Sequence, residues 1–238
     1  MPLEMAATLR TNPASAYQML HDFVTLRAGD VVIQNGSNSA VGQAVIQIAK
    51  KLGVKTVNIV RDRDNIGEMK EHLKELGADW VWTEEEHRFA KDIHSISSRF
   101  FSRSLCRKSQ AFREKELPKP VLALNCVGGS SATELAKSLA PGGAHVTYGG
   151  MSLKPVTVPT SALIFKDISI RGYWLSRNVK NDPGGEKRRD MYAFLGRMAA
   201  GGELRPPRHE MFRLAEFKEV LGKTMKGQKE GKVIFDMR

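Results

Sequence analysis

Apolar and polar residues alternate along this chain in a pattern that predicts strands and helices in turn. Short apolar runs predict six strands, at residues 31–34, 55–60, 80–83, 121–126, 145–148 and 168–172. Apolar residues at helical spacing predict helices between them, at 41–52, 66–76 and 132–139. Strands that alternate with helices predict an α/β fold, a doubly wound parallel six-stranded Rossmann sheet with helices on both faces.

The interval 84–120 interrupts this rhythm, because it is far longer than an ordinary connection and its aromatic residues follow neither period. Its central part, about residues 97–116, holds six basic and two acidic residues with serines between them. We therefore expect a basic, irregular insertion in the sheet domain.

Composition narrows the function classes. With 238 residues and 41% hydrophobic content, the chain suffices for one doubly wound domain and part of a second. A net charge of +11 would suit nucleic acid, but the sequence has no matching recognition motif, so we predict no nucleic-acid partner. Cys106 and Cys126 lack metal-ligand spacing, so we predict no metal site, and no apolar run is long enough for a membrane span.

The loop at residues 35–42 lies between the first predicted strand and its helix, where a dinucleotide-binding unit holds the pyrophosphate. Gly42 matches the last glycine of the G-x-G-x-x-G pattern, whereas Ser37 and Ser39 stand where the first two should be. This incomplete match leaves an ordinary strand-to-helix turn as the alternative.

Arg61-Asp62-Arg63 follows the second predicted strand, about twenty residues beyond that loop. This position meets the adenosine ribose, where a carboxylate favours the free 2′-hydroxyl of NAD and arginine accommodates the 2′-phosphate of NADP. The two arginines therefore predict NADPH as the cofactor, with solvated surface arginines as the alternative.

Several short runs closely resemble mitochondrial trans-2-enoyl thioester reductases, zinc-independent members of the medium-chain dehydrogenase/reductase superfamily. These runs are Gln-Asn-Gly-Ser-Asn-Ser at 34–39, Val-Arg-Asp-Arg at 60–63, Leu-Asn-Cys-Val-Gly-Gly at 124–129 and Thr-Tyr-Gly-Gly-Met at 147–151. The resemblance implies NADPH-dependent reduction of the C2–C3 double bond of a 2-enoyl-CoA or enoyl-ACP in mitochondrial fatty-acid synthesis, usually by a homodimer.

The resemblance also implies which residues contact the cofactor. They are Asn12, Asn38, Ser39, Ala40, Val41, Arg61, Asp62, Arg63, Tyr148, Gly149, Gly150, Met151, Tyr173, Trp174, Leu175 and Lys232. Among these, Arg61 and Arg63 would hold the 2′-phosphate, and the residues from Tyr148 to Leu175 would line the nicotinamide side. Core packing is the alternative for Tyr173 and Trp174, and a surface position is the alternative for Lys232.

Departures from the family pattern shape the expected domain organisation. Ala40 stands where close relatives usually have glycine, and the chain begins where the family's GroES-like substrate domain, with its carbonyl-orienting tyrosine, would end. We therefore expect an N-terminally truncated form without catalytic residues of its own. Its parts would be a linker helix at 1–26, an NADPH-binding domain at 27–202 and, at 203–238, a C-terminal remnant of the substrate domain.

The sequence is compatible with three functions. They are an enoyl thioester reductase whose activity is reduced by the missing domain, a quinone-reductase-like relative, and a non-catalytic NADPH-binding or regulatory module. The location is open as well, because the family is mitochondrial while this N-terminus shows no import signal, which would suit the cytoplasm.

Overall fold

The structure is a computed structural model that describes residues 2–88, 118–225 and 231–237. Its main sheet has six parallel strands, which are β1 (Val31–Asn35), β2 (Lys55–Val60), β3 (Trp80–Thr83), β4 (Leu122–Asn125), β5 (Ala144–Thr147) and β6 (Ser169–Gly172). Their order across the sheet is β3-β2-β1-β4-β5-β6. The order reverses between β1 and β4, and ligands of doubly wound sheets bind at the carboxyl ends of the strands beside such a switch point.

Helices connect the strands and flank the sheet. They are α1 (Leu3–Leu9), α2 (Asn12–His21), α3 (Ala40–Lys51), α4 (Ile66–Glu75), α5 (Gly129–Ser138), α6 (Thr160–Lys166), α7 (Leu175–Lys180), α8 (Glu186–Ala200) and α9 (Phe217–Met225). A further helical turn covers residues 84–88. None of the helices in the described ranges is long and apolar enough to cross a membrane.

The two faces of the sheet carry separate hydrophobic clusters. Along β1, the side chain of Val32 joins buried residues of α2, α3 and α8, whereas Val31 and Ile33 join buried residues of α5 and α6. A third cluster packs α4 against the edge near β3. Because side chains alternate along a strand, this division places helices on both faces, and the predicted doubly wound α/β fold is confirmed.

Two predicted boundaries differ from the structure. The N-terminal linker is two helices instead of one, because Pro13 lies in the first turn of α2 and a proline suits a helix start but not a helix interior. Helix α5 begins three residues earlier than predicted, since Gly128 and Gly129 both have positive φ and complete the turn between them. The predicted insertion at about 97–116 lies outside the described residues.

The C-terminal segment forms its own small sheet. Strand β7 (His209–Arg213) pairs in parallel with β8 (Lys232–Asp236). The Gln47 side chain, on α3, connects this segment to the main domain through hydrogen bonds with both backbone groups of Arg205. The origin of this segment as part of a substrate domain stays a prediction.

Candidate functional site

The turn from β1 into α3 presents free backbone donors at the carboxyl edge of the sheet. Ser39 caps the helix, and its hydroxyl accepts a hydrogen bond from the Gly42 N–H at 3.1 Å. The N–H groups of Ala40 and Val41 make no hydrogen bond within the described residues, as expected for a first helical turn. Together with the positive end of the helix dipole, these two groups can hold a phosphate.

Glycine is required in this turn at Gly36, which lies outside the standard pattern, and at Gly42, which is the last glycine of that pattern. Gly36 has φ +58°, and a Cβ placed there would lie 2.5 Å from the Cys126 Sγ. A Cβ on Gly42 would lie 2.5 Å from the Ser37 carbonyl oxygen. The Ser37 hydroxyl is fully buried and lies 3.1 Å from the Ile59 carbonyl oxygen, to which it donates. The serine therefore fixes the loop to β2, which explains why a polar residue replaces the usual glycine.

Two buried asparagines join the ends of β1 and β4. The Asn125 Oδ1 accepts from Asn35 Nδ2 at 2.8 Å and from the backbone N–H groups of Val127 and Gly128 at 3.2 and 3.0 Å. Its Nδ2 donates to the Thr147 Oγ1, on β5, at 3.0 Å. Asn35 and Asn125 are not among the predicted cofactor contacts, although polar residues at the ends of apolar strands are a visible signal.

Backbone hydrogen bonds then join the loop after β5 to the loop after β4. The N–H of Tyr148 donates to the Asn125 carbonyl, and the N–H of Met151 donates to the Cys126 carbonyl, both at 2.9 Å. A Cβ on Gly149 would lie 3.2 Å from the Cys126 Cβ, so glycine allows close packing of the two loops. Gly150 has open space around it, and the Met151 side chain is 78% exposed.

A buried hydroxyl without a partner lies between these loops. The Tyr148 hydroxyl makes no hydrogen bond within the described residues. Burial raises the pKa of Tyr148 well above 10.0, with the Cys126 thiol adding to the increase and the Ser39 hydroxyl opposing it. Burial also raises the pKa of the Cys126 thiol above 9.0. Both groups are therefore neutral at physiological pH and suit hydrogen bonding to an uncharged polar group.

The two arginines predicted to hold a 2′-phosphate follow β2 at the same edge. Arg61, Asp62 and Arg63 are all exposed, and the Asp62 carboxylate accepts from the N–H of Arg63 at 2.9 Å. Neither guanidinium forms an ion pair or a hydrogen bond with another described residue. Both remain available to an anionic ligand.

Three other predicted contacts differ in their burial and in their hydrogen-bond partners. The Asn12 Nδ2, at the start of α2, is buried and has no partner among the described residues. Tyr173 is buried, and its hydroxyl donates to the Gln18 Oε1 at 2.7 Å, while burial raises its pKa to about 12. Trp174 is 57% exposed. The Arg177 guanidinium lies over its ring, with 5.9 Å between the guanidinium carbon and the ring centre. Asn12 thus has a buried amide without a described partner, Trp174 has an exposed ring, and Tyr173 has a buried, hydrogen-bonded hydroxyl. Contact of these three residues with a cofactor stays a prediction.

The remaining predicted contacts lie at different places. Asn38 is part of the turn, and its carbonyl accepts from the Gln43 Nε2 at 2.8 Å. Leu175 begins α7 and packs against the main core. Lys232 lies on β8, in the small C-terminal sheet and not in the main sheet. Contact of these side chains with a cofactor stays a prediction.

The fold and this edge together define a Rossmann-type domain suited to a dinucleotide. The family model for zinc-binding dehydrogenases matches residues 40–185. The chain therefore belongs to the zinc-binding dehydrogenase family. In the described part of the chain, no group of three or more His, Cys, Asp or Glu residues could hold a metal ion, so these residues do not supply a zinc site.

Comparison with known proteins points to one branch of that family. The chain is 47% identical over 226 residues to the mitochondrial enoyl-[acyl-carrier-protein] reductase of Rattus norvegicus, a match that covers 95% of this chain and 56% of the rat enzyme. A solved complex of Etr1p with NADP and crotonyl-CoA is 32% identical, with a TM-score of 0.82, over 100% of this chain and 62% of that one. The predicted resemblance to enoyl thioester reductases is confirmed.

A related solved structure bears on assembly. The mitochondrial 2-enoyl thioester reductase heterodimer Etr1p/Etr2p from Candida tropicalis is 30% identical, with a TM-score of 0.79, over 98% of this chain and 62% of that one. Solved quinone reductases share 20 and 22% identity with this chain, which shows a common fold alone. The chain spans about three fifths of the length of the relatives that it matches.

Proposed function

We propose that this chain is the NADPH-binding part of a trans-2-enoyl thioester reductase. The observation that carries the proposal is the convergence, at one edge of the sheet, of the free N–H groups of Ala40 and Val41 with the unpaired guanidiniums of Arg61 and Arg63. The first pair suits a pyrophosphate, and the second pair suits the additional phosphate that distinguishes NADPH from NADH.

The nicotinamide would lie at the opposite end of the edge, at the loops after β4 and β5, with Asn12 as a predicted contact. The buried Asn12 amide and the Tyr148 hydroxyl have unused hydrogen-bonding capacity, and a carboxamide offers a donor and an acceptor in return. When bound, NADPH supplies a hydride, which in this reaction goes to C3 of the enoyl thioester while C2 gains a proton. The chain orients the ring by fixing the loops after β4 and β5 to each other through backbone hydrogen bonds.

A fluorescence titration of the full chain with NADPH and NADH tests the proposed cofactor. We expect selective NADPH binding, and we expect the double variant Arg61→Ser/Arg63→Ser to lose about ten- to a hundredfold in NADPH affinity, because each lost charge-assisted contact is worth about tenfold. Affinity for NADH should change little. The variant Arg27→Gln, in an exposed residue away from the edge, controls for net charge.

An enoyl-CoA reduction assay on the same sample separates cofactor binding from turnover. Turnover would show that this chain carries a working active site. Selective binding without turnover would support the proposed cofactor part and the prediction that catalysis needs a further domain. Equal affinity for NADPH and NADH in wild type and double variant would refute the assignment.

We further propose that the chain forms a homodimer through the free edge of β6. All four residues of β6 are exposed, and the neighbouring α6 carries Leu163, Ile164 and Phe165, with Phe165 80% exposed. An open edge strand beside apolar side chains is a ready template for pairing with a second strand. The related Candida tropicalis enzyme, which was solved as a heterodimer, supports this proposal.

Sedimentation velocity tests the proposed dimer. We expect Phe165→Asp to shift the chain towards monomer, while Leu221→Asp, in a residue of α9 that is 53% exposed, leaves the dimer intact. A wild-type chain that sediments as a monomer at micromolar concentration, or a Phe165 variant that remains dimeric, would contradict the proposal.

Mitochondrial location is a further part of the proposal, since the matched relatives are named as mitochondrial enzymes. Cell fractionation of the endogenous protein tests it. Enrichment with a matrix marker would support the proposal, and enrichment in the cytosol would contradict it.

A further inference from the structure

The structure contains a basic cavity of about 580 Å³ outside the proposed cofactor site. It is formed where the α1–α2 junction, the end of α7 and the start of α8 meet. Its lining includes Arg10, Arg188, Arg189, Tyr192 and Gly185, and none of the described lining residues is acidic. The function proposed above leaves this cavity without a role.

The three guanidiniums are held to different degrees. Arg188 pairs with Asp182, with 3.5 Å between its Nε and the carboxylate Oδ2. Arg189 donates from Nη1 to the Gly184 carbonyl at 2.7 Å, which leaves its other donors free. The Arg10 side chain forms no ion pair or hydrogen bond within the described residues. Three guanidiniums against one carboxylate leave two positive charges unmatched.

Glycine and tyrosine shape the cavity around these charges. Gly185 is buried with φ +71°, and a Cβ there would lie 3.0 Å from the Arg188 Nη2. Because glycine has no Cβ, the Arg188 guanidinium can pack over the backbone at this position. The Tyr192 hydroxyl, on α8, donates to the Arg10 carbonyl at 3.3 Å and so connects the α1–α2 junction to the helix. The positions of the charges therefore follow from the fold and not from surface side chains alone.

The chemistry of the cavity favours a phosphate ligand. Guanidinium groups present forked donors that match the oxygens of a phosphate, and several together suit a group that carries up to two negative charges. Helix α8, with 15 residues, adds the positive end of its dipole, although Asp182 already accepts from the Arg188 N–H of its first turn. The arginines thus carry most of the expected attraction.

The position of the cavity connects it to the substrate. Arg10 lies two residues before Asn12, whose unpartnered amide belongs to the proposed nicotinamide end. Val179, which also lines the cavity, lies on α7, and α7 begins directly after the exposed Trp174. Two short chain segments, Arg10 to Asn12 and α7 itself, therefore connect the cavity to residues of the proposed nicotinamide end.

We propose that this cavity binds a phosphate group on the carrier of the thioester substrate. The proposal rests on the reductase function proposed above. Coenzyme A and acyl carrier proteins both attach the acyl group through a pantetheine arm that ends in a phosphate, so the same cavity could serve either carrier. A substrate site on this chain would make part of substrate affinity independent of any other domain.

Calorimetric titration of the full chain with four probes tests the phosphate. The probes are pantetheine, pantetheine 4′-phosphate, 3′-dephospho-coenzyme A and coenzyme A. We expect the phosphorylated arm to bind about tenfold more tightly than pantetheine, the scale of one charge-assisted contact. A gain confined to coenzyme A over its 3′-dephospho form would instead assign the cavity to the nucleotide end of that carrier. No gain at either phosphate would overturn the proposal.

Variants locate the effect. We expect Arg10→Gln/Arg189→Gln to remove most of the phosphate-dependent gain, whereas Arg27→Gln, with an exposed arginine elsewhere, keeps it. Arg188 is left unchanged because its pair with Asp182 supports the fold. An unaltered gain in the double variant would refute the site, and far-ultraviolet circular dichroism confirms that each variant is folded.

NADPH titration of the same samples separates this proposal from the function on which it rests. Wild-type chain that binds NADPH but shows no phosphate-dependent gain would overturn the cavity alone. Phosphate-dependent binding without NADPH binding would contradict the reductase function and, with it, the assignment to a substrate carrier. The double variant should bind NADPH as wild type does, because both arginines lie outside the cofactor edge.

Discussion

The asparagine pair at the switch point offers a sharp test of how the cofactor edge is held. Replacing Asn125 with leucine keeps a similar side-chain volume. It removes the Oδ1, which accepts three hydrogen bonds, and the Nδ2, which donates one to Thr147. The substitution therefore alters hydrogen bonding in a fully buried position with little change in packing.

The size of the effect follows from which groups lose their only partner. The N–H groups of Val127 and Gly128 would be left without an acceptor, whereas Asn35 would keep its hydrogen bond to the Ser131 Oγ at 3.2 Å. A buried polar group without a partner costs about 1–3 kcal/mol, and Val127 is only partly buried. We therefore expect Asn125→Leu to lower the free energy of unfolding by about 3 kcal/mol.

Urea unfolding measures this value, and Thr147→Val provides the matched control. The control removes one acceptor from the Asn125 amide and should cost about 1 kcal/mol. The double variant should lower the free energy of unfolding about as much as Asn125→Leu alone, because the leucine has already removed the hydrogen bond to Thr147. The reasoning would be refuted if the losses of unfolding free energy in the two single variants added up in the double variant. It would also be refuted if the free energy of unfolding of Asn125→Leu lay within about 0.5 kcal/mol of wild type.

Three further changes test other parts of the site. Gly36→Ala should lower the free energy of unfolding by about 1–3 kcal/mol in urea, because φ is +58° and the new Cβ would lie 2.5 Å from the Cys126 Sγ; wild-type stability would contradict this. Tyr148→Phe removes a buried hydroxyl without a partner, so thermal unfolding should show equal or higher stability while titration shows weaker NADPH binding; a gain in affinity would count against the proposed contact. Burial lowers the pKa of His145 and His72 below 6.5, so the unfolded chain binds more protons and stability should fall as the pH drops from about 7.5 to 5.5. His145→Gln should reduce that slope, and an unchanged slope would exclude His145 as a cause.

Much of the fold was predictable from sequence because hydrophobic periodicity marks the strands and helices, and turn-forming residues mark the connections between them. Apolar runs of four to six residues mark every strand of the main sheet, and the structure shifts their ends by about one residue. The predicted start of α5 is three residues late because a glycine pair is typical of a loop. Positive φ at Gly128 and Gly129 instead completes the turn within the pair.

The polar framework of the site was not predictable in the same way. The partners of Asn125 lie at positions 35, 127, 128 and 147, and only the parallel register brings strands so distant in sequence together. Periodicity reports which face of a strand is buried, but it does not report which buried amides meet. The same limit applies to Ser37, whose hydroxyl reaches the Ile59 carbonyl on the neighbouring strand.

The two ends of the cofactor edge are built on different physical principles. At the proposed nicotinamide end, backbone and amide hydrogen bonds fix the loops in a buried setting, so the loops are ordered before any ligand binds. At the β2 end, Arg61 and Arg63 are exposed, and no hydrogen bond or ion pair with another described residue holds their guanidiniums. Salt should therefore weaken the preference for NADPH over NADH while leaving the shared part of the binding largely intact, since screening acts most strongly on exposed charges. The cofactor preference and the cofactor orientation are thus separable properties of one edge.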